Sequence, residues 1–334
     1  MGDGLMTAVA AAPAPKGELA PLILQEIPIP EPAEGQVLVR VRAAGVNRPD
    51  LLQRYGLYPP PPGAPDTLGL EIAGEVAAIG RGAGRWREGD AVTALLPGGG
   101  YAQYAVVDAR HALPVPPGLN WEQAASLPET VFTVWANVFD IARLEAEQTL
   151  LVHGATSGIG VMAVQMAKAA GARVIATSRG PEKAAQAHVL GADLSIDSQA
   201  EDFEPAVERF GGADVALDMV GAAFTAANLR CLKPFGRLVE IATLTGAKAE
   251  VDLSLIMRKR LTLTGSTLRA RPADEKARLA RAVEQTVWPW IEAGKVRPVI
   301  DSVFPLADVE AAHARLEAGG HFGKVVLKVG TDAA

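Results

Sequence analysis

The chain has 334 residues, a length that favours two domains, and none of its uninterrupted apolar runs approaches the roughly 20 residues that span a bilayer. The net charge of −6 and the pI near 5.5 disfavour nucleic acid as a partner, because they give no general attraction for phosphate backbones. A single cysteine, Cys231, excludes an internal disulfide and a zinc site built from several cysteines.

The N-terminal part, 1–126, is predicted to be a β-rich domain. Its first residues lack the basic start and the long apolar stretch of a secretory signal, so we expect a cytoplasmic protein that does not enter a membrane. An alternating segment, 36–42, and an apolar segment, 72–79, have the patterns of strands, and Gly and Pro separate them.

The part 127–268 changes to short apolar strands that alternate with Ala-rich helices, which is the pattern of βαβ units in a parallel sheet. The predicted strand and helix pairs are 150–153 with 158–170, 173–177 with 181–190, and 215–218 with 222–232, followed by a strand over 238–242. The part 269–334 is expected to complete the first domain through helices over 273–292 and 308–317 and a strand over 324–329. The predicted fold class is α/β.

The turn between the strand over 150–153 and its helix carries glycines at 154, 158 and 160. Glycine lets the backbone approach a diphosphate closely, and the N–H groups at a helix N-terminus hold its negative charge. The spacing differs from the commonest G-x-G-x-x-G pattern, but the strand before the turn and the helix after it are the context that the motif requires. The turn is therefore predicted to bind a dinucleotide through Gly154, Gly158, Ile159 and Gly160.

The next strand is followed by Ser178, Arg179 and, four residues further on, Lys183. An NAD site usually places an acid here for the ribose 2′-hydroxyl, whereas hydroxyls and cations suit the 2′-phosphate of NADPH. Glu182 lies close by and would weaken that preference. The sequence therefore predicts NADPH as the cofactor, bound through Ser178, Arg179 and Lys183.

Several segments resemble the zinc-free quinone oxidoreductases of the medium-chain dehydrogenase/reductase superfamily, and the tumour-suppressor-inducible type related to zeta-crystallin in particular. The resemblance is carried by 44–63 with its tyrosine and four prolines, 68–76, 89–92, the Leu-Pro-Gly-Gly-Gly run in 96–104, and Gly323-Lys324. It covers nearly the whole chain. It implies a GroES-like catalytic domain, a Rossmann domain that binds NADPH, and a homodimer.

Zinc-containing relatives carry a cysteine in the region of Asn47 and a histidine at the position of Leu70, and neither residue found here ligates zinc in that way. The histidines have no metal-like spacing and stand at 111, 153, 188, 313 and 321. His153, beside the glycine turn, is interpreted as a packing or hydrogen-bonding residue. We therefore expect no metal in the reaction.

The resemblance also assigns roles to single residues. Tyr58 is placed near the substrate, Asn47 and Thr133 near the nicotinamide end, Ser157 facing the cofactor, and Lys324 within reach of its phosphates. Each of three roles has a simpler alternative: Tyr58 packs against the proline-rich loop over 59–62, Ser157 caps the helix, and Lys324 is solvated at a strand end. The catalytic residues predicted on this basis are Tyr58, Ser157 and Asn47. Three more residues are predicted to line the nicotinamide pocket: Ile241, Thr243 and Thr267.

The predicted reaction is the NADPH-dependent, zinc-independent reduction of quinones by hydride transfer. One alternative is a reductase of α,β-unsaturated carbonyl compounds or enoyl thioesters, because the fold does not settle the substrate. A second alternative is a non-catalytic NADPH-binding protein of the crystallin kind. A steady-state assay with NADPH and a set of quinones separates the second alternative from catalysis.

Overall fold

The computed structural model describes residues 4–330, and the ends of the predicted first domain at 1–3 and 331–334 lie outside the described residues. The chain divides into two compact units. The first contains the residues up to Phe132, Arg269–Trp288, and the residues from Pro298 onward. The second contains Thr133–Leu268 and Pro289–Arg297.

The elements of the first 134 residues, in chain order, are β1 (Leu5–Ala11), β2 (Leu22–Pro28), β3 (Gln36–Val46), α1 (Arg48–Arg54), β4 (Glu71–Ile79), β5 (Ala91–Leu95), β6 (Tyr104–Asp108), β7 (Ala112–Pro114), α2 (Trp121–Ala125) and α3 (Pro128–Val134). A π-helical segment, Trp135–Ile141, continues α3. The following elements are β8 (Thr149–His153), α4 (Gly158–Ala169), β9 (Arg173–Ser178), α5 (Pro181–Val189), β10 (Leu194–Asp197), α6 (Phe203–Phe210), β11 (Ala213–Asp218), α7 (Ala222–Cys231), β12 (Leu232–Glu240), α8 (Leu253–Lys259) and β13 (Thr262–Gly265). The last are α9 (Ala273–Glu292), β14 (Ile300–Pro305), a 3₁₀ turn at Leu306–Asp308, α10 (Val309–Glu317) and β15 (Lys324–Lys328).

The main sheet of the first unit has the strand order β14-β15-β3-β4-β5-β7, and β6 also pairs with β3. Neighbouring strands are antiparallel, apart from the parallel pair β14 and β15. The C-terminal strand β15 pairs with β3, with Val325 opposite Val46, which confirms the prediction that the last strand rejoins the first domain. Apolar side chains of β3, β4 and β15 form much of the core of this unit.

The sheet of the second unit is parallel throughout and has the order β10-β9-β8-β11-β12-β13. All residues of its central strand β8 are buried, as expected for a strand covered on both faces. The chain leaves β8 for β9 on one side and later returns to β11 on the other, so the order of strands reverses beside β8. Ligands of such sheets bind at the carboxyl ends of the strands, at this reversal.

The fold confirms the predicted α/β class, with a β-rich unit and a doubly wound parallel-sheet unit. The predicted helix over 273–292 is present with the same bounds. In the described part of the chain, 4–330, no helix is both long enough and apolar enough to cross a bilayer.

Candidate active site

The glycine turn follows β8, and its backbone is shaped for a close approach. Gly154 has a φ of +64°, a left-handed conformation that glycine adopts without strain. A Cβ on Gly160 would lie 2.2 Å from the carbonyl oxygen of Gly154, so only glycine fits at that position of the helix. The turn therefore brings the start of α4 against the end of β8, and it leaves backbone N–H groups at the helix start for an anion.

Ser157 is the N-cap residue of α4. Its Oγ accepts a hydrogen bond from the N–H of Gly160 at 3.0 Å, and it also lies 3.6 Å from the sulfur of Met219. This geometry establishes the capping role that the sequence offered as an alternative for Ser157. A contact between Ser157 and a cofactor stays a prediction.

Four loops follow the carboxyl ends of parallel strands and therefore meet at one edge of the sheet. The predicted cofactor residues occupy these loops and the first turns of the helices that follow two of them: Gly154 to Gly160 after β8, Arg179 and Lys183 after β9, Ile241 and Thr243 after β12, and Thr267 after β13. Thr133 lies in α3, where its carbonyl oxygen accepts a hydrogen bond from Nδ2 of Asn137. Oδ1 of the same asparagine accepts one from Ser266, the residue before Thr267, so Thr133 is linked to the loop after β13. The structure thus brings together most of the predicted cofactor-binding residues of the second unit.

The end of β9 carries an unsatisfied polar group. Ser178 is buried, and its Oγ has no hydrogen-bond partner among the described residues. Arg179 beside it is exposed, whereas Asp197 at the end of β10 accepts a hydrogen bond from the N–H of Gly180 at 2.7 Å. A hydroxyl without a partner next to a cation fits a phosphate oxygen, while the Asp197 carboxylate would oppose one.

His153 ends β8 and takes part in a buried chain of hydrogen bonds. Its Nδ1 lies 2.8 Å from Oγ1 of Thr177, and its Nε2 lies 2.7 Å from Oδ1 of Asn228, whose Nδ2 donates to Asp218. Because the amide oxygen only accepts, Nε2 carries the proton and Nδ1 accepts from the threonine. Burial lowers the pKa of His153. These contacts confirm the interpretation of His153 as a packing and hydrogen-bonding residue.

The first unit contains a second polar cluster, which is centred on Lys324 at the start of β15. Nζ of Lys324 lies 2.7 Å from Oε1 of Glu71, and it donates to Oδ1 of Asn47 at 2.5 Å and to the carbonyl oxygen of Val46 at 3.0 Å. Nδ2 of Asn47 donates to the same Oε1 of Glu71, and the backbone N–H of Glu129 donates to Oε2. Lys324 is 5% exposed and Glu71 is 0% exposed, so this ion pair is buried. A role of Asn47 and Lys324 in cofactor binding stays a prediction.

Asp50 lies in the same cluster, at the start of α1. Its carboxylate accepts hydrogen bonds from the N–H of Asn47, the N–H of Gly69 and the hydroxyl of Tyr101. Burial outweighs these donors and raises the pKa of Asp50 to about 6. The buried lysine, glutamate, asparagine and aspartate form one connected network.

Tyr58 lies beside Arg269, a buried residue that the sequence argument missed. The Arg269 guanidinium stands 5.5 Å from the centre of the Tyr58 ring and donates to the Tyr58 carbonyl oxygen at 3.1 Å. It also donates to the carbonyl oxygen of Pro97 and to Oε1 of Gln53, so one side chain connects three segments of the unit. Burial and the charge of Glu129 raise the pKa of Tyr58.

Glu129 stands in the first turn of α3 and is partly exposed. Burial beside the negatively charged Glu71 raises the pKa of its carboxyl group to about 8. Among the hydrogen bonds of residues 4–330, none reaches that carboxyl group. Sequence reasoning missed Glu129, because a glutamate in the first turn of a helix is ordinary in any protein.

Within residues 4–330, the structure contains no group of three His, Cys, Asp or Glu side chains placed to hold a metal ion. The side-chain amide of Asn47 accepts a hydrogen bond from the ammonium group of Lys324 and donates one to the carboxylate of Glu71. A fixed positive charge therefore already sits beside Asn47.

The two units define a class: a two-domain oxidoreductase with a GroES-like domain and a Rossmann domain for a nicotinamide cofactor. Residues 33–117 match the family described as the alcohol dehydrogenase GroES-like domain, and residues 190–327 match the zinc-binding dehydrogenase family. Quinone oxidoreductase from Pseudomonas aeruginosa is 36% identical over 89% of this chain and 92% of its own length. The chain therefore belongs to the medium-chain dehydrogenase/reductase superfamily, and it is similar to a quinone oxidoreductase of that superfamily over nearly its full length.

Other similar proteins include much longer ones. The phthioceranic/hydroxyphthioceranic acid synthase of Mycobacterium tuberculosis is 32% identical over 89% of this chain, and the chain spans only 14% of its length. Among solved structures, Escherichia coli quinone oxidoreductase complexed with NADPH is similar with a TM-score of 0.85 and 28% identity, over 96% of this chain and 99% of that one. The CurK enoyl reductase is similar with a TM-score of 0.85 and 25% identity, over 97% and 99% of the two chains.

Proposed function

We propose that this protein reduces quinones with NADPH, by a hydride transfer that needs no metal. The observation that carries the proposal is the turn after β8, where Gly160 admits no side chain and the start of α4 offers its N–H groups at the reversal of the parallel sheet. NADPH, when bound, supplies the hydride. The residues that would hold it are those of the glycine turn, with Ser178, Arg179 and Lys183 for the 2′-phosphate.

We assign binding of the acceptor to the first unit, at Tyr58. A quinone has no acidic proton and two oxygens that accept hydrogen bonds, so it needs donors more than charges. The Tyr58 hydroxyl is such a donor, because a tyrosine hydroxyl is protonated at neutral pH and burial raises its pKa further. The buried pair of Lys324 and Glu71 would fix Asn47 and the start of α1 beneath this region.

The absence of a metal from the reaction is part of the proposal. Asn47 stands in the region where zinc-containing relatives carry a cysteine, and both ends of its amide group form hydrogen bonds, one with Lys324 and one with Glu71. A divalent cation there would meet the ammonium group of Lys324 at close range and would be repelled by it. The proposal therefore predicts that chelators leave the activity unchanged.

The decisive experiment measures steady-state oxidation of NADPH and of NADH with a series of quinones. We expect turnover with quinones, a lower KM for NADPH than for NADH, and no change after treatment with EDTA. Arg179→Ala should raise the KM for NADPH by about tenfold and leave that for NADH nearly unchanged, since a charge-assisted contact to the 2′-phosphate contributes about 1.5–3 kcal/mol. Equal effects of Arg179→Ala on the two cofactors would refute the phosphate assignment.

The reduction of α,β-unsaturated carbonyl compounds or enoyl thioesters is a second candidate, which the likeness to the CurK enoyl reductase favours. The same assay with an enone and an enoyl thioester in place of the quinone distinguishes the two. A protein that binds NADPH but reduces neither class of acceptor would be the non-catalytic alternative. The homodimer and the cytoplasmic location stay predictions, which size-exclusion chromatography with light scattering and cell fractionation would test.

A further inference from the structure

Three carboxyl groups meet around Lys324 in the first unit, and they differ in how far their hydrogen-bonding capacity is used. Glu71 accepts from Lys324, Asn47 and the Glu129 N–H, and Asp50 accepts from two backbone N–H groups and a tyrosine hydroxyl. The carboxyl group of Glu129 takes part in no hydrogen bond among those of residues 4–330. The first two carboxylates are parts of the scaffold, whereas the third is available for a partner.

Glu129 also keeps access to solvent, because the residue is partly exposed, whereas Glu71 and Asp50 are buried. Its backbone is fixed by the hydrogen bond from its N–H to Oε2 of Glu71, at 2.8 Å. The position of the residue is thus set by the buried network, and its side chain can exchange protons with water. A group with these two properties can deliver a proton repeatedly.

The charged and titratable groups that act on Glu129 come from every surrounding segment. They are Asp50 on α1, Tyr58 in the proline-rich loop, Glu71 on β4, Arg269 and Lys276 before and on α9, and Lys324 on β15. Burial and the negative Glu71 raise the pKa of Glu129 to about 8, and the positive Lys324 and Lys276 oppose this shift. At neutral pH the side chain is therefore mostly a neutral acid beside Tyr58.

We propose that Glu129 is the catalytic acid of the reaction, and that its carboxyl group gives a proton directly to an oxygen of the acceptor while Tyr58 holds that acceptor by a hydrogen bond. This rests on the proposed function. A carbonyl acceptor that gains a hydride carries two more electrons and a negative oxygen. The O–H bond of the Glu129 carboxyl breaks, a new O–H bond forms on that oxygen, and the remaining carboxylate regains its proton from water.

The test uses Glu129→Gln, which keeps the shape of the side chain and removes its acid, together with Glu129→Asp, which keeps the acid. Glu122→Gln is the matched control, because Glu122 also stands in the first turn of a short helix, α2, but outside the cluster. All are assayed with NADPH and naphthoquinone from pH 6 to about 10. Folding is checked by circular dichroism and by the affinity for NADPH, measured by fluorescence titration without acceptor.

We expect kcat of the unsubstituted protein to fall as the pH rises through about 8, because the acid loses its proton there. Glu129→Gln should lower kcat on the order of 100-fold, the usual scale of general-acid catalysis, remove this alkaline limb and leave NADPH affinity within twofold. Glu129→Asp should retain the limb at a reduced rate, and Glu122→Gln should behave like the unsubstituted protein.

A readout without cofactor supports or refutes the assignment independently of turnover. Infrared difference spectra of the cofactor-free protein between pH 7 and about 9 should contain protonated carboxyl bands of Glu129 and of Glu240, whose pKa burial raises to about 7. Glu129→Gln should lack the first band and keep the second, and Glu240→Gln identifies the second by removing it. The inference is overturned if Glu129→Gln keeps both bands, or if the variant retains the rate and the alkaline limb while the unsubstituted protein turns over. If the unsubstituted protein binds NADPH but reduces no acceptor, the proposed function fails. The catalytic role of Glu129 then fails with it, although the protonated carboxyl band of Glu129 is still observed.

Discussion

Removal of the lysine from the buried pair of Lys324 and Glu71 should destabilise the first unit strongly. Lys324→Met leaves the Glu71 carboxylate, which is 0% exposed, with only two neutral donors, Nδ2 of Asn47 and the N–H of Glu129. Breaking a buried pair from one side costs about 3–5 kcal/mol, since an uncompensated charge remains. In the double variant Glu71→Gln/Lys324→Met neither position of the pair carries a charge. We expect this variant to be more stable than Lys324→Met by at least about 1 kcal/mol.

Hydrogen exchange read by mass spectrometry is the suitable assay, because unfolding of a two-domain chain is not a single transition. Peptides from β3 and β15 should lose about 3–5 kcal/mol of opening free energy in Lys324→Met, and peptides from β8 should be unchanged. The control is Arg81→Met, which breaks an exposed ion pair with Glu34 and should cost less than about 1 kcal/mol. A Lys324→Met protein with unaltered protection, or a double variant no more stable than the single one, would refute the reasoning.

Three further predictions concern other parts of the molecule. Gly160→Ala puts a Cβ 2.2 Å from a backbone oxygen and should abolish measurable NADPH binding by calorimetry, whereas Gly211→Ala, at a helix end with nothing within 4 Å of its Cβ, should only cost about 1 kcal/mol of stability. Tyr58→Phe should lower quinone kcat on the order of tenfold at unchanged NADPH affinity, and an unchanged kcat would remove the hydroxyl from the reaction. Burial lowers the pKa of His313 to about 3. As the pH falls, the unfolded chain therefore protonates this histidine before the folded chain does. The stability that the neutral imidazole contributes is lost as the pH falls from about 6.5 to 3. His313→Gln should remove this loss of stability in acid, as measured by hydrogen exchange of peptides from α10 at each pH, corrected for the intrinsic exchange rate.

The parallel-sheet unit was largely predictable from the sequence. Its strands and helices alternate with clear periodicity, and the glycine turn lies between a strand and a helix that both exist in the structure. The short strand β10 was not predicted, because 194–197 is only four residues long. The helix α6 was missed although its apolar residues recur at a helical spacing, at 203, 206, 207 and 210. The position of the predicted cofactor residues at one edge of the sheet followed from chain order alone, since the carboxyl ends of parallel strands meet there.

The polar cluster of the first unit was not predictable in the same way. Asp50, Glu71, Glu129 and Lys324 come from four segments that are far apart in sequence. They come together because β3 pairs with β15 on one side and with β4 on the other. In the sequence, each has an ordinary explanation as a charge at a helix start or a strand end. The helices α1, α2 and α3 are too short for a helical period to be recognised, so the turn that carries Glu129 could not be placed.

Lys324 shows why a resemblance to a family and the local geometry must be considered together. The resemblance implies a lysine that reaches the cofactor phosphates, but an ammonium group has three N–H donors. In the structure, those donors meet Val46, Asn47 and Glu71. A phosphate contact would have to replace one of these bonds, and the loss of the Glu71 bond would leave a buried carboxylate without its counter-charge. The physical cost therefore favours Lys324 as the residue that fixes Asn47 and Glu71, and through Glu71 the backbone of Glu129, in place for the reaction.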